Sequence, residues 1–223
     1  MSLFALLSPF YSISSAELAP GDLGRVIVAS PSPKPWALAA SRPESNPHSH
    51  DRAAGEIRGL QWSDFAQKKV LPVYALGQRR DEALRVERVR RTLGVILSTS
   101  PAAGEGGSGA ITISAVVAPL VPFEVEGRPS EFSPALRARV EALMHIFLFP
   151  CARNDNPFVP ASVIRLDRPQ TLVPSPITWE SIGIRLSDEV LSLLLATCRK
   201  IFASSAETEL DEVRSVLVEA MPV

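Results

Sequence analysis

Cysteine is scarce. Cys151 and Cys198 are the two present in 223 residues, and their spacing matches neither a disulfide framework nor a zinc ligand set. Both are expected as small buried hydrophobes in a reducing cytoplasm. A surplus of either charge is also lacking. Lysine plus arginine number 23 against 24 aspartates and glutamates, for a formal charge of −1, so no global attraction to nucleic acid is expected and any basic surface has to be local. Long apolar runs are missing too: Ala110 to Phe123 is uncharged but short, and it contains Pro119 and Pro122. The amino end, Met1 to Ser12, is apolar without a basic leader and is broken by Pro9, so neither a signal peptide nor membrane association is expected.

Motifs that carry chemistry are absent as well. There is no phosphate-binding glycine loop, nucleotide fingerprint, serine-hydrolase elbow or zinc-protease signature. Gly104 to Gly109 (GEGGSG) has no following lysine and no helix to aim its amides, which makes it a flexible hairpin connection. No cofactor is therefore expected. His48-Ser49-His50-Asp51 places ligand types in close order, but a third ligand is not visible, so no metal site is expected and these are polar loop residues.

What the chain does have is 46% hydrophobic content, enough for one large core or a barrel with long insertions, and one domain is expected. Its twenty prolines disfavour an all-helical bundle, because proline removes a backbone donor and clashes with the preceding turn. Short strands separated by turns fit better. Gly24 to Ala29 (GRVIVA) and Trp36 to Ala40 (WALAA) form a candidate hairpin across Ser30 to Pro35, and Ser41 to Arg58 is expected as an exposed loop. Further strands are expected at Leu71 to Ala75, Thr92 to Ser98, Ile111 to Ala118, Ile146 to Phe149, Val163 to Leu166 and Gln170 to Val173. Arg79 to Arg91 satisfies neither helical nor strand periodicity and is left open.

Three helices are expected toward the carboxyl end. Ser133 caps Pro134 to His145, with Leu136, Val140, Leu143 and Met144 along one face. Ser187, followed by Asp188 and Glu189, opens a helix to about Ala203 that is apolar nearly all round and should be the most buried. Ser204 with Glu207 fits a capping box for a last helix bearing Leu210, Val213, Val216 and Leu217.

The segment Ser162 to Phe202 orders a strand, a turn, a second strand, an arginine and an acid-started helix. With Ser162, Val163, Asp167 and Arg185 to Glu189, it resembles the carboxyl half of the PemK/MazF family of prokaryotic toxins. Arg90 to Ser98 is similar to that family's arginine-led strand, Ile113 to Pro122 to its "V-V-P-L-T" strand, and Pro20-Gly21-Asp22 to its opening turn. The resemblance implies an α+β fold: a small bent antiparallel SH3-like β-barrel with inserted loops over residues 1–203, closed by the helix that Ser187 opens; the last helix, over 204–223, is expected to dock on it or on a partner.

The same resemblance implies an endoribonuclease that pairs an arginine with a serine or threonine. This chain departs from that pattern. Leu120 and Val121 stand where the hydroxyl residue belongs, Thr92 replaces the usual proline, and charged residues replace a glycine-rich loop. The lead expectation is accordingly a catalytically degenerate barrel that binds a macromolecule in a toxin–antitoxin or defence setting. The first rival is an active endoribonuclease in which Arg90 or Arg91 acts on the phosphate while Ser98, Thr99 or Ser100 supplies the hydroxyl. The second is a structural subunit of a larger assembly. A protein or RNA partner is expected, with a homodimer left open.

The candidate nucleic-acid contacts are Arg79, Arg80, Arg85, Arg88, Arg90 and Arg91, six cations against Asp81, Glu82 and Glu87, a local excess of three. Such a patch can hold phosphates by charge-assisted hydrogen bonds, or it can be a solvated face whose charges pair with one another. His145 is expected at a core edge, Arg153 to Asn156 as a polar turn, and Trp36, Trp62 and Trp179 as packing residues beside apolar runs.

Overall fold

The computed structural model describes residues 3–15, 17–30, 34–41, 54–66, 81–103, 111–127 and 130–220. The expected strand at Leu71 to Ala75, the His48 to Asp51 run, Arg79, Arg80 and the Gly104 to Gly109 connection lie outside them. In chain order the elements are α1 (Leu3–Leu6), β1 (Tyr11–Ile13), β2 (Asp22–Ser30), β3 (Trp36–Ser41), β4 (Ala54–Gly59), a 3₁₀ turn (Trp62–Phe65), β5 (Arg85–Val86) and β6 (Arg88–Ala103). They continue with β7 (Ile111–Pro122), α2 (Pro134–Glu141), β8 (Leu148–Cys151), β9 (Asn154–Asp155), β10 (Phe158–Val159), β11 (Ser162–Arg165), β12 (Gln170–Leu172), β13 (Trp179–Leu186), α3 (Asp188–Phe202) and α4 (Thr208–Glu219). The fold is α+β, and its registered strand pairs are antiparallel. Among the described residues no helix is long and apolar enough to cross a membrane.

The chain divides into two compact units, one of residues 1–28 with 91–223 and the other of residues 29–90. The larger unit is built on a sheet ordered β1-β13-β2-β6-β7-β11-β8, with β12 also paired to β7. Among the described strands this sheet is open, ending at β1 and β8. The smaller unit is the sheet β4-β3-β5 followed in sequence by no further strand before β6. The expected hairpin of β2 with β3 is thus corrected: β3 takes β4 and β5 as its partners, with Trp36 opposite both Gly59 and Val86. The expected loop from Ser41 to Arg58 is corrected at its end, because Ala54 to Gly59 supply the ladder that satisfies the backbone groups of β3.

The central strands are buried on both faces, which is why their sequences run apolar without alternating. Val95, Leu97, Ala118 and Leu120 join one core with Leu23, while Ile96, Ala115, Val117, Val26 and Val28 join another with Trp179. Successive side chains on a strand point to opposite faces, so Val95 and Ile96 serve different cores. The register of β6 against β7 shifts between Ile96 and Ser98. The first core is closed by α3 through Val190, Leu193 and Leu194 and by α4 through Leu210 and Leu217. Gly21 makes the turn into β2 at φ +90°, a conformation that L side chains rarely adopt, and lies directly against Leu191 of α3.

The helix ends differ from expectation in instructive ways. Ser133 caps α2 as expected, its hydroxyl accepting from the Leu136 N–H at 3.2 Å. The helix nevertheless stops at Glu141 rather than His145, because Leu143 turns to φ +56° and thereby buries its side chain. Ser187 occupies the N-cap of α3, but its buried hydroxyl makes no cap bond and has no partner among the described residues. The expected Ser204–Glu207 capping box does not form either. Ser204 takes a positive φ, Glu207 itself is the N-cap of α4, and its carboxylate is held by Arg199 and Ser205. Of the tryptophans, Trp179 packs in the core while Trp36 and Trp62 are exposed, Trp62 at 92%.

Candidate functional site

The undecided Arg79 to Arg91 segment is extended where it is described: Arg85 lies in β5, and Arg88, Arg90 and Arg91 lie in β6. All four arginines are exposed. Arg85 pairs with Glu87 at 2.5 Å, and Arg91 pairs with Glu180 of β13, whose other carboxylate oxygen accepts from Arg25 at 3.3 Å. Part of the positive excess is therefore neutralised within the molecule.

The geometry keeps the candidate catalytic groups apart. Ser98 is exposed on β6, seven residues beyond Arg91 on the same strand, which at about 3 Å per residue is a separation of roughly 20 Å. Thr99 and Ser100 lie farther still along the strand. Catalysis on a single phosphate needs its cation and proton-transfer group within hydrogen-bond reach of the same atoms. The hydroxyl beside Arg91 is that of Thr92, and it donates to the Leu120 carbonyl at 3.1 Å. Leu120 is 2% exposed, its side chain part of the main core.

Cys151 is buried and Cys198 is partly buried. Burial pushes the Cys151 thiol up to about 12, against a smaller lowering effect of its contact with Tyr11, and burial pushes Cys198 up to about 11. The Tyr11 hydroxyl lies 3.0 Å from the Cys151 sulfur and donates to the Ala152 carbonyl at 2.5 Å, and burial raises its pKa as well. This is a buried tether between β1 and the end of β8. Among the described residues no three ligating side chains gather as a metal site.

A different surface of the larger unit does form a recess, a cleft of about 440 Å³. Phe4, Phe123, Pro160 and Ala161 give it apolar walls, and Glu124, Arg137, Arg153 and Phe158 supply its polar and aromatic edge. Each arginine stands over a ring: Arg137 lies 4.8 Å from the Phe123 centroid and Arg153 lies 5.7 Å from that of Phe158. Arg137 is spent on structure. It donates to Glu124 at 3.0 Å and to Glu141 at 2.8 Å, and those carboxylates, Glu141 foremost, raise its pKa. Arg153 donates through Nε to Asp155 at 2.8 Å, and among the described residues no acceptor meets its terminal nitrogens. Phe158 is 62% exposed.

The sequence signals for this cleft were weak. The polar turn expected at Arg153 to Asn156 is corrected: Asn154 and Asp155 form β9, and the β9–β10 hairpin turns at Asn156 and Pro157, with Asn154 donating to the Pro157 carbonyl at 2.8 Å. What the hairpin adds to the cleft is the exposed Phe158 that follows Asn156 and Pro157, which periodicity does not separate from core phenylalanines. Glu124 and Arg137 meet across thirteen residues of sequence, a pairing that no local pattern announces. No protein-family model, curated protein or solved structure matches the chain.

Proposed function

We propose that this protein is a binding module for another protein, built as a catalytically degenerate SH3-like barrel of the PemK/MazF kind and working in the cytoplasm. The observation that carries the reading is the placement of Leu120 and Arg91. Leu120, where the resembled toxins carry a hydroxyl, is sealed in the core, and Arg91 is turned to Glu180 and far from Ser98. A phosphodiester at Arg91 would meet a cation without a proton-transfer partner. The antiparallel β6–β7 pair and the acid-started α3 seated on the sheet support the barrel kinship. A protein partner is favoured over RNA because two of the four described candidate arginines, Arg85 and Arg91, are paired with Glu87 and Glu180, whereas phosphate binding depends on uncompensated positive charge.

The test has two arms. Purified protein incubated with single-stranded RNA should leave it uncut, and protein recovered from its native cell under mild salt should retain a protein partner that nuclease treatment does not release. Sequence-selective cutting would replace the reading with the endoribonuclease, and a nuclease-released partner would replace it with RNA binding.

A further inference from the structure

We infer that the cleft between Phe123 and Phe158 is where the partner docks, and that it takes a peptide segment carrying a bulky apolar side chain next to a carboxylate. The inference rests on the binding-module reading and adds the site and the chemistry of the ligand. The occupant follows from what the cleft leaves unsatisfied. Phe158 is largely exposed beside Phe4, Pro160 and Ala161, so an apolar side chain entering there removes water from both surfaces. A recess of about 440 Å³ is of the size that holds one large side chain with its flanking backbone.

Charge decides what flanks that anchor. Arg153 is fixed from one side only, through Nε to Asp155, which leaves the terminal nitrogens of its guanidinium as donors at the cleft edge. A carboxylate accepts both in the bidentate geometry that arginine favours. The opposite edge is already closed, because Glu124 and Glu141 hold Arg137. Arg153 meets one carboxylate through one nitrogen, whereas Arg137 meets two carboxylates through two, so Arg153 is the less compensated guanidinium of the described cleft residues. The compensating carboxylates Glu124, Glu141 and Asp155 also disfavour a phosphate chain, which would bring several negative charges past them. An aromatic wall, a single donor fork and a polar edge match the anatomy of a protein contact centre.

The experiment is a titration of the isotope-labelled full chain, followed by backbone amide shifts. Its probe is a capped tetrapeptide, glycine–phenylalanine–aspartate–glycine. Saturable shifts are expected at residues 123–124, 137 and 153–161, with affinity roughly tenfold weaker when asparagine replaces the aspartate or alanine replaces the phenylalanine. Arg153→Gln should abolish the preference for aspartate over asparagine while keeping that for phenylalanine over alanine, and Phe158→Ala should do the reverse. Both side chains are exposed, so neither variant threatens folding, and unchanged spectra elsewhere verify it. No saturable shift with the peptide, shifts away from the cleft, or shifts there with an oligouridine probe in place of the peptide would each overturn the inference. Such failure is distinct from failure of the binding-module reading, which is decided by RNA cutting and by the retained partner.

Discussion

The indole of Trp179 lies so close over Gly24 that a Cβ at that glycine would stand 2.5 Å from the ring and 2.7 Å from the Glu180 carbonyl oxygen. The contact locks β13 against β2 at the point where Trp179 enters the core with Val26 and Val28. Backbone cannot yield as a flexible side-chain end can, so the added methyl has to displace the ring. Gly24→Ala is expected to lower stability by about 1–3 kcal/mol, the usual range for overpacking. Gly59→Ala, with nothing within 4 Å of the new methyl, is the control and should change stability by less than about 0.5 kcal/mol. Urea unfolding of the two variants beside the parent checks the contrast.

Leu194 of α3 is fully buried in the main core, and an aspartate there would be a carboxylate without a partner or water. Leu194→Asp should cost several kcal/mol or prevent folding. Phe202, on the same helix, is 63% exposed at its last residue. Phe202→Lys should stay within about 0.5 kcal/mol of the parent, helped by the favourable placement of a cation at a helix carboxyl end. Thermal melting of the pair separates a helix buried on one face from one buried all round.

That contrast marks what was legible in the sequence. Leu194 and its neighbours announced a buried helix, and Thr92 to Ser98 and Ile111 to Ala118 announced the strands β6 and β7, because burial on both faces requires unbroken apolar runs. Strand partnership was not legible. Nothing local in Trp36 to Ala40 reveals that its ladder is made with Ala54 to Gly59 rather than with β2, since pairing is decided by backbone groups that every residue carries. Cap chemistry misled in the same way. Ser204 and Glu207 have the right spacing for a capping box, but Arg199 from the preceding helix offers Glu207 two charge-assisted bonds at 3.0 Å and takes the carboxylate. The cleft was hidden because Glu124, Arg137 and Phe158 come together only through tertiary packing.

The Arg199–Glu207 pair gives a pH prediction. The hydrogen bonds from Arg199, and after them that from Ser205, hold the Glu207 carboxyl down to about 2 from an ordinary 4.5. The folded state therefore keeps this carboxylate charged at pH values where the unfolded chain has already taken up the proton. A depressed folded value means that the stabilisation is complete above about pH 4.5 and is lost as the pH falls toward 2. Lys200 lowers Asp211 and Arg165 lowers Asp167 in the same direction, so several carboxylates share the acid response. Glu207→Gln should be less stable than the parent at pH 7, lose less stability between pH 4.5 and 2, and converge with it at the acid end. Urea midpoints at pH 7, 4 and 2.5 measure this, and parallel curves would assign the acid response to the other pairs.

Arg91 and Arg25 share Glu180 at a solvated face where the three side chains are 60%, 54% and 47% exposed, respectively. Exposed ion pairs contribute about 0–1 kcal/mol, because water and salt screen the attraction and two long side chains lose freedom in forming it. Among the described residues none pairs with Arg90, so its removal should cost still less. The Arg90→Ala, Arg91→Ala double variant is therefore expected to melt within about 3 °C of the parent. In a single-stranded RNA assay, both proteins should give product no higher than the buffer blank. Arg91 faces a carboxylate, the adjacent Thr92 hydroxyl is committed to the Leu120 carbonyl, and Ser98 is roughly 20 Å along the strand. Bound phosphate would be held there without help for the attacking or leaving oxygen. Cutting by the parent that disappears in the double variant at an unchanged melting temperature would show that β6 carries a working ribonuclease centre, and would displace the binding-module reading.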